Sequence, residues 1–365
     1  MINRARVIAF YLPQYHPIPE NDKWWGKGFT EWTNVGKAKP LFRGHYQPRV
    51  PADLGYYDLR LPDVREAQAQ MAREAGIEGF MYWHYWFGNG KQLMSDIFDE
   101  VLESGKPDFP FCLGWANHSW FAKKWNDSGC KKDKLLIDQQ YFGEDDYKQH
   151  FEKVVRAFQD KRYIKIDKKP LFLIFDSENL PHNFISLWNH WAKENGLENG
   201  IYFIAQINKY GSNRIEELLA KGFSAVTFRN VRAMYAQKGR LGKIFFRLRG
   251  LFNRFIFNKP VFIIDYAKAF PFFTDENDKL EEVIPFIMPN WDHTPRSGIN
   301  GTLLVNSTPQ LFKLHVQQVL KAVENKQNKL VLLKSWNEWG EGNYLEPDLK
   351  FGKGYIKALK DAIGG

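Results

Sequence analysis

Eight runs of apolar, β-branched and aromatic residues recur along the chain, and the segments between them have the spacing of amphipathic helices. The runs, which we predict to be strands, are RVIAFYL at 6–12, GFMYWHY at 79–85, FPFCLGW at 109–115, PLFLIF at 170–175, IYFIA at 201–205, AVTF at 225–228, VIPFIM at 283–288 and LVLLK at 330–334. Helical spacing is found at 92–103, 145–159, 183–194, 213–221, 309–324 and 354–363. Because strands that alternate with helices form parallel sheets with crossover connections, the pattern predicts an α/β fold.

Eight such units favour a closed barrel over an open, doubly wound sheet. We therefore predict one domain over residues 1–365, a single (β/α)8 TIM barrel with long insertions in its βα-loops. The chain has no Gly-x-Gly-x-x-Gly and no Walker-type phosphate loop, so nucleotide-binding folds lose their usual support. One insertion, at 17–60, is rich in Pro, Gly and aromatic residues and is expected to form an ordered loop over the barrel mouth. The other lies at 229–280.

Aromatic residues make up 16% of the chain, with 13 Trp, 16 Tyr and 30 Phe. Flat rings with polar tips suit the apolar faces and hydroxyl edges of sugars. Core filling explains most of the Phe, but the Trp residues cluster near strand ends beside polar groups. The two cysteines, Cys112 and Cys130, make no disulfide framework or zinc motif. With no signal-peptide core and no apolar stretch of membrane-spanning length, the sequence predicts a cytoplasmic protein without metal or cofactor.

Polar residues that follow the apolar runs are the first candidates for a site, because barrel enzymes build theirs at the C-terminal ends of strands. Seven of these ends offer Trp, Tyr, His, Asn or a carboxylate, a lining that suits a polyhydroxylated ligand. With Trp32 of the first insertion, the predicted substrate-binding residues are Tyr11, Gln14, Tyr15, His16, Trp32, Tyr82, His84, Tyr85, Trp115, Asn117, Trp120, Asp176, Asn208, Trp291, Asp292, Trp336 and Asn337. The alternative is that they are ordinary loop residues, and His118, His293 and Gln206 taken singly are better explained as structural.

Two glutamates after the last strand are the candidate catalytic residues. Glycosidic chemistry needs a proton donor for the leaving oxygen and a second carboxylate as nucleophile, base or charge stabiliser. The segment WNEWGEG places Glu338 and Glu341 three residues apart, and its two glycines allow the chain to turn. The adjacent tryptophans would exclude water and raise the pKa of one carboxyl toward a proton-donating role. By spacing alone a solvated acidic turn or a helix cap explains the pair equally well.

Five long segments of the sequence resemble a known family. They are AFYLPQYHPIPENDKWWGKGFTEWTNV, GFMYWHYWF, FCLGWANHSW, PNWDHTPR and SWNEWGEGNYLEP. Through them, nearly the whole chain resembles the WbsX-type family of bacterial surface-polysaccharide proteins, which is related to the endo-mannosidases of glycoside hydrolase family 99. The resemblance implies a (β/α)8 barrel with a metal-independent sugar site.

The resemblance also implies roles for the two glutamates. In the endo-mannosidase relatives, which are retaining, the first carboxylate of an Asn-Glu-Trp-x-Glu-Gly segment deprotonates the sugar's own 2-hydroxyl, giving a 1,2-anhydro intermediate. The second acts as acid and then as base. By this likeness Glu338 is the base and Glu341 the proton donor, in a subsite lined by Tyr82, His84, Tyr85, Trp115 and Asn117. The chain departs from those hydrolases over 17–60 and 229–280, so the identity of the sugar is not carried over.

The formal charge of +9 comes from one segment, because residues 229–259 contain nine Lys or Arg and no Asp or Glu. Within it, KIFFRLRGLFNRFIF at 243–257 would form a cationic, amphipathic helix, the pattern of a peripheral contact with an anionic membrane. A polyprenyl-linked glycan at the inner membrane would be a natural substrate there. A barrel helix whose charges face water explains the pattern equally well. Nucleic-acid binding has no motif to support it, and we predict no such partner.

Three functions compete for this sequence. The first is a retaining, family-99-like glycosidase that acts on a bacterial surface polysaccharide such as O-antigen or capsule. The second is a glycosyltransferase or sugar-nucleotide-independent transglycosylase in lipopolysaccharide biosynthesis. The absence of Asp-x-Asp weakens a nucleotide-sugar transferase but leaves transfer from a lipid-linked donor open. The third is a catalytically silent glycan-binding barrel, against which two acids among aromatic residues argue.

Overall fold

The computed structural model describes residues 5–122, 134–207, 213–228, 239–260 and 262–364. Contacts between Cα atoms divide the chain into two compact units. The first unit takes the described residues of 1–17, 28–78 and 230–365, and the second takes those of 18–27 and 79–229.

The strands in chain order are β1 (Arg6–Tyr11), β2 (Gly79–His84), β3 (Phe111–Trp115), β4 (Trp120–Ala122), β5 (Lys134–Ile137), β6 (Lys165–Ile166), β7 (Lys169–Ile174), β8 (Tyr202–Ile207), β9 (Ala225–Phe228), β10 (Phe262–Asp265), β11 (Phe286–Ile287), β12 (Thr302–Val305), β13 (Leu330–Leu333), β14 (Asn337–Glu338) and β15 (Asn343–Tyr344). The α-helices are α1 (Pro19–Trp25), α2 (Glu31–Lys37), α3 (Pro62–Ala75), α4 (Asp96–Ser104), α5 (Glu144–Gln159), α6 (Phe184–Glu194), α7 (Asn213–Ala220), α8 (Gly239–Phe257), α9 (Tyr266–Ala269), α10 (Thr294–Ser297), α11 (Pro309–Val323) and α12 (Gly354–Gly364). Short 3-10 turns cover Phe270–Phe272, Glu276–Lys279, Gly298–Asn300 and Trp339–Glu341.

In the first unit, β13 lies between β1 and β11, and all three strands run parallel. Val7 is opposite Val331 in this register. All of β13 is buried, as is β1 after its first residue. Burial on both faces is the reason why these strands read as continuous apolar runs rather than as an alternating pattern. Helices α11 and α12 pack against each other in the same unit.

In the second unit, β2, β3, β7, β8 and β9 pair in that order, and each pair is parallel. The short strand β6 pairs antiparallel with β7, and β4 pairs antiparallel with β5. The three parallel strands of the first unit and the five of the second alternate with helices along the chain, as in a (β/α)8 barrel. The predicted fold class is confirmed.

The seventh predicted strand is much shorter than the run VIPFIM suggested, because only Phe286–Ile287 pair as a strand. Pro285 has no N–H to donate, although its carbonyl still accepts a hydrogen bond from the backbone of Leu332 at 3.0 Å. The other seven strands fall within two residues of their predicted ends.

Both insertions contain regular structure. The first, at 17–60, includes α1 and α2, and α2 begins with a capping box. The Thr30 hydroxyl accepts from the backbone N–H of Trp32 at 3.2 Å, and the Thr33 hydroxyl accepts from the backbone of Thr30 at 3.4 Å. The second insertion, at 229–280, includes α8 and also β10, which pairs in parallel with β12. The position of the first insertion over a barrel mouth stays a prediction, as does the single domain over 1–365.

Trp188 lies at the centre of an aromatic core in the second unit. Its side chain is fully buried. Its ring centroid lies 4.7 Å from that of Phe184, 5.1 Å from Phe172 and 4.9 Å from His150. Helix α6 supplies both Phe184 and Trp188, four residues apart on one face, and this face packs on the sheet.

We expect Trp188→Ala to lower the free energy of unfolding by about 3–5 kcal/mol, because it leaves a cavity that this core cannot fill. The matched control is Leu314→Ala, which removes an apolar side chain that is 51% exposed on α11, and this change should stay within about 0.5 kcal/mol. Urea denaturation followed by far-UV circular dichroism measures both. Equal losses in the two variants would contradict the assignment of this core.

Candidate active site

A tight hairpin carries the two candidate glutamates. Strand β14 ends at Glu338 and pairs antiparallel with β15. The 3-10 turn Trp339–Glu341 joins the strands, and Gly342 follows it with a φ of 55°, a left-handed conformation that favours glycine. Glu338 therefore ends a strand while Glu341 ends a turn.

The side chains of both glutamates converge on one guanidinium group. Arg296 of α10 donates through Nη1 to Glu341 Oε1 at 2.5 Å and to Glu338 Oε1 at 3.2 Å. Its Nε and Nη2 atoms lie 3.1 and 3.0 Å from Glu31 Oε2. A single arginine thus binds three carboxylates, and we call these four residues the charge cluster.

Two further side chains contact the charge cluster, and solvent reaches most of it. His293 Nε2 lies 3.3 Å from Glu341 Oε1, and the Ser335 hydroxyl donates to Glu338 Oε2 at 3.3 Å. The side chains of Glu338 and Glu341 are 16% and 12% exposed, and that of Arg296 is 23% exposed. A ligand from solution can therefore contact the two glutamates.

The cluster changes the proton affinity of its members. The pKa of Glu338 is raised to about 7, mainly by burial and then by the charge of Glu341, while the positive charge of Arg296 opposes both effects. For Arg296, burial alone would lower the pKa, but the three carboxylates outweigh it and hold the pKa well above its usual value. Near neutral pH the cluster thus combines a permanently charged arginine with a glutamate that is protonated in a large share of the molecules.

Gly340 makes room for the cluster on the turn between the glutamates. A Cβ atom at this position would collide with the Glu31 carboxylate and lie 3.1 Å from Arg296 Nε. Glycine is therefore required here by the close approach of two side chains to the backbone.

Buried polar contacts fasten the hairpin to the residues that follow β1. The Asn337 side chain accepts from the backbone N–H of Leu12 at 2.8 Å and donates to its carbonyl at 3.1 Å. The Tyr15 hydroxyl donates to the Asn337 carbonyl and accepts from the backbone N–H of Trp339 at 3.0 Å. Asn337 and Tyr15 therefore fix the position of the hairpin relative to the residues that follow β1. Their predicted contact with substrate stays a prediction.

A fourth carboxyl group, that of Glu346, is buried and contacts the turn. Glu346 accepts hydrogen bonds from Trp339 Nε1 at 2.6 Å, the Tyr57 hydroxyl at 2.9 Å and Gln68 Nε2 at 2.7 Å. Gln68 in turn accepts from the hydroxyl of Tyr11. Tyr11 is predicted to bind substrate, but its side chain is buried. Burial raises the pKa of Glu346 to about 7. These contacts give Tyr11 a structural partner away from solvent.

Asp292 contacts the end of the turn, at Glu341. Its carboxylate lies 2.8 Å from His45 Nε2 and accepts from Gln47 at 2.7 Å and from the Thr294 hydroxyl at 2.6 Å. Its backbone N–H donates to the Glu341 carbonyl at 2.7 Å. The side chain is fully buried, so these contacts fix the position of Glu341. Substrate binding by Asp292 stays a prediction.

The remaining residues of the first unit that are predicted to bind substrate differ in their exposure to solvent. Gln14, Trp32 and Trp291 are half-buried, which leaves each of them some surface for a ligand. His16 and Trp336 are buried.

Seven of the residues predicted to bind substrate belong to the second unit, namely Tyr82, His84, Tyr85, Trp115, Asn117, Trp120 and Asp176. His84 Nε2 lies 2.8 Å from His150 Nε2, and burial lowers the pKa of His84 to about 3. Asn117 accepts from the backbone N–H of Asp176 at 2.7 Å and donates to its carbonyl at 2.9 Å. Tyr85 and Trp120 pack in an apolar cluster. These are contacts within the unit, and sugar binding by all seven stays a prediction. Asn208 lies outside the described residues.

Two members of the charge cluster, Glu31 and Arg296, were not among the predicted site residues, and His293 was judged structural. A signal was present in PNWDHTPR, because two carboxylates that approach each other need a nearby cation, and this segment supplies one arginine. Glu31 has no comparable signal, since it is one of many acids outside the strand ends.

A family model described as Glycosyltransferase WbsX matches residues 7–359. The chain belongs to the WbsX glycosyltransferase family. Two proteins named WxcX, from Xanthomonas campestris pv. campestris strains ATCC 33913 and B100, are similar to it at 33% and 34% identity over 369 and 366 residues. Each alignment covers 98% of this WbsX-family chain and 50% of the relative. The chain therefore spans about half the length of these relatives.

Solved structures resemble the WbsX-family chain in fold. A glycoside hydrolase-like protein has a TM-score of 0.62 at 17% identity, covering 100% of this chain and 95% of its own. The family 99 endo-α-mannosidase from Bacteroides thetaiotaomicron has a TM-score of 0.53 at 15% identity, covering 98% of this chain and 95% of its own. At these identities the likeness establishes a shared fold. Family and fold together support a carbohydrate-active enzyme.

The raised pKa of Glu338 predicts a pH-dependent stability. The folded protein holds this proton up to about pH 7, whereas an unfolded glutamate loses it near 4.5, so the stabilising contribution is full below 4.5 and is lost as the pH rises through 7. Glu338→Gln stays neutral throughout. We therefore expect this variant to be more stable than the parent at pH 8, by about 1–3 kcal/mol, and similar to it at pH 4.5.

Urea denaturation at a series of pH values between 4.5 and 8 measures this difference. Glu152→Gln, at an exposed position in α5, serves as the control and should show no such trend. A difference between Glu338→Gln and the parent that does not change with pH would contradict the raised pKa.

Proposed function

We propose that this protein makes or breaks glycosidic bonds in a bacterial surface polysaccharide, with retention of configuration, and that Glu338 and Glu341 carry the chemistry. Its substrate is an oligosaccharide or polysaccharide. The proposal of a cytoplasmic location rests on the sequence features given above. The observation on which the proposal rests is the convergence of two partly exposed carboxylates on one Arg296 nitrogen, at 2.5 and 3.2 Å.

The spacing of the two carboxyl groups supports retention. Two oxygens that share one nitrogen at those distances lie within about 6 Å of each other, whereas inverting glycosidases separate their carboxyl groups by roughly 6.5–9.5 Å to admit a water molecule. The contacting oxygens of this pair lie closer together than that, which favours the retaining alternative; an intermediate formed through the 2-hydroxyl need not obey either spacing.

In the first proposed step, the Glu338 carboxylate takes the proton of the sugar's 2-hydroxyl, and the freed oxygen attacks the anomeric carbon. The glycosidic carbon–oxygen bond breaks as Glu341 donates its proton to the leaving oxygen. The product on the donor side is a 1,2-anhydro sugar, and the pair still carries one proton, now on Glu338.

In the second step, the Glu341 carboxylate takes a proton from an incoming hydroxyl group, whose oxygen attacks the anomeric carbon. The bond between that carbon and the 2-oxygen breaks, and Glu338 returns its proton to the 2-oxygen. Water as the incoming group gives hydrolysis, whereas a sugar hydroxyl gives transfer from a donor that need not be a sugar nucleotide. The same two residues therefore serve a glycosidase and a transglycosylase.

The cycle needs one proton for the two glutamates, and the raised pKa of Glu338 keeps a proton on the pair near neutral pH. In the ligand-free protein this proton belongs on Glu338, because Arg296 donates more closely to Glu341. The proposed roles require the proton to move to Glu341 when the sugar's 2-hydroxyl donates to Glu338. The reversed assignment, with Glu338 as acid, is the competing outcome that the following experiment distinguishes.

We expect Glu338→Gln and Glu341→Gln each to lower turnover of the producing strain's surface polysaccharide by about 10²–10⁴-fold. New reducing ends, counted after labelling with a fluorescent amine, measure hydrolysis, because each hydrolytic cut exposes one reducing end. Products larger than the starting chains, detected by mass spectrometry, indicate transfer. Glu152→Gln is the matched control and should retain full activity.

Glycosyl fluorides of the polysaccharide's own sugars separate the two roles, because fluoride leaves without a proton. Glu341→Gln should recover much of its first-step rate on such donors, and Glu338→Gln should not. If only Glu338→Gln recovered its first-step rate, Glu338 would be the acid and Glu341 the base. If the parent protein bound the polysaccharide without turnover, the proposed enzymatic function would be wrong and a catalytically silent glycan-binding barrel would be favoured.

Arg296 should set the pH range of the reaction. Its charge lowers the pKa of Glu338, so Arg296→Gln should raise that pKa and move the corresponding limb of the kcat/KM profile upward by about 1 pH unit or more. Arg214→Gln removes an arginine that pairs with Glu178 and Glu217 in the second unit and should leave the profile unchanged. An unshifted profile in Arg296→Gln would show that the contact to Glu338 is not electrostatically important.

A further inference from the structure

Helix α8 exposes an apolar stripe to solvent. Six side chains recur at intervals of three, four and one residues and thus share one face of the helix, and each of them is about half exposed or more: Ile244, Leu248, Leu251, Phe252, Phe255 and Ile256. Phe255 is 78% exposed and Ile256 63% exposed. In a helix that covers a barrel, a stripe of this kind faces the sheet.

The opposite side of α8 is partly buried. Gly250, which the helical repeat places across the axis from the apolar stripe, is buried, and Asn253 is half-buried. Phe257, on the same side as Gly250, is 53% exposed. The side across from the stripe thus includes buried positions, whereas all six side chains of the stripe are exposed to solvent.

The charge of the same segment is wholly positive. Residues 239–260 contain six Lys or Arg and no Asp or Glu. Arg249 and Arg254 are exposed, and the helical repeat places them on the two sides of the apolar stripe. Such a surface is complementary to a partner that is both anionic and apolar beneath its charges.

We propose that α8 docks in the plane of an anionic lipid bilayer. The apolar stripe enters the boundary between headgroups and acyl chains, and the flanking arginines contact lipid phosphates. None of the helices in the described part of the chain is long and apolar enough to cross a membrane, so the contact is peripheral. A second copy of this chain is a poor alternative occupant, because pairing two α8 surfaces would bring like charges together.

This surface is independent of the glycosidic chemistry, since α8 contributes no residue to the charge cluster. It would bring the chain to the bilayer surface, where a glycan attached to a lipid is displayed. Loss of membrane binding and loss of turnover are therefore separable.

Flotation of the full 365-residue chain with vesicles tests the proposal. We expect binding to phosphatidylcholine vesicles that contain 30% phosphatidylglycerol, weaker binding at high salt, and at least about tenfold weaker binding to pure phosphatidylcholine. Phe255→Ser/Ile256→Ser and Arg249→Glu/Arg254→Glu should each reduce the partition coefficient about tenfold or more. Circular dichroism confirms folding of both variants, whose changes lie at exposed positions.

Lys357→Glu/Lys360→Glu on α12 is the matched control, because it makes the same charge change at two exposed positions away from α8. It should bind like the parent. Three outcomes would overturn the proposal: equal binding to neutral and anionic vesicles, an equal loss in the control, or no vesicle binding by a chain that dimerises in sedimentation velocity and loses the dimer in Phe255→Ser/Ile256→Ser.

Discussion

The site depends on the contact between Arg296 and the three carboxylates around it. Two glutamates held this close in a partly buried turn repel each other strongly unless a cation or a proton intervenes. The chain uses both, because Arg296 donates to Glu338 and Glu341 through one nitrogen and the raised pKa of Glu338 retains a proton. Glu31 takes the other side of the guanidinium, so its plane and position are fixed before a ligand arrives.

A hairpin that belongs to no barrel strand can be a precise site only if the surrounding structure holds it. Here Asn337 bonds the backbone after β1, Tyr15 bridges both ends of β14, and the backbone of Asp292 donates to Glu341. Each of these groups is buried and has its own partners. Several residues predicted to bind sugar thus have a structural role, which is to fix the positions of Glu338 and Glu341 relative to each other.

The fold could be predicted from the sequence because parallel strands buried on both faces are continuous apolar runs. AVTF coincides with β9, and the bounds of most other strands differ by one or two residues. The pairing of Glu338 and Glu341 also had a local signal. Glu31 had none, because its contact with Arg296 joins residues 265 positions apart, and a pattern of neighbouring residues cannot indicate so distant a contact. Similarly, the amphipathic pattern at 243–257 could not decide whether its stripe faces a sheet or solvent.

In the proposed mechanism, hydrolysis and transfer differ only in what occupies the acceptor side of the anhydro sugar. Water is abundant and small, and the ligand-free glutamates are 16% and 12% exposed, so an uncovered intermediate would be hydrolysed. A transferase must exclude water by covering the site with the acceptor sugar itself or with another part of the protein. The chemistry of the two carboxylates is common to both outcomes. The decision between them therefore lies with the surfaces that cover the pair when substrate is bound, rather than with the pair itself.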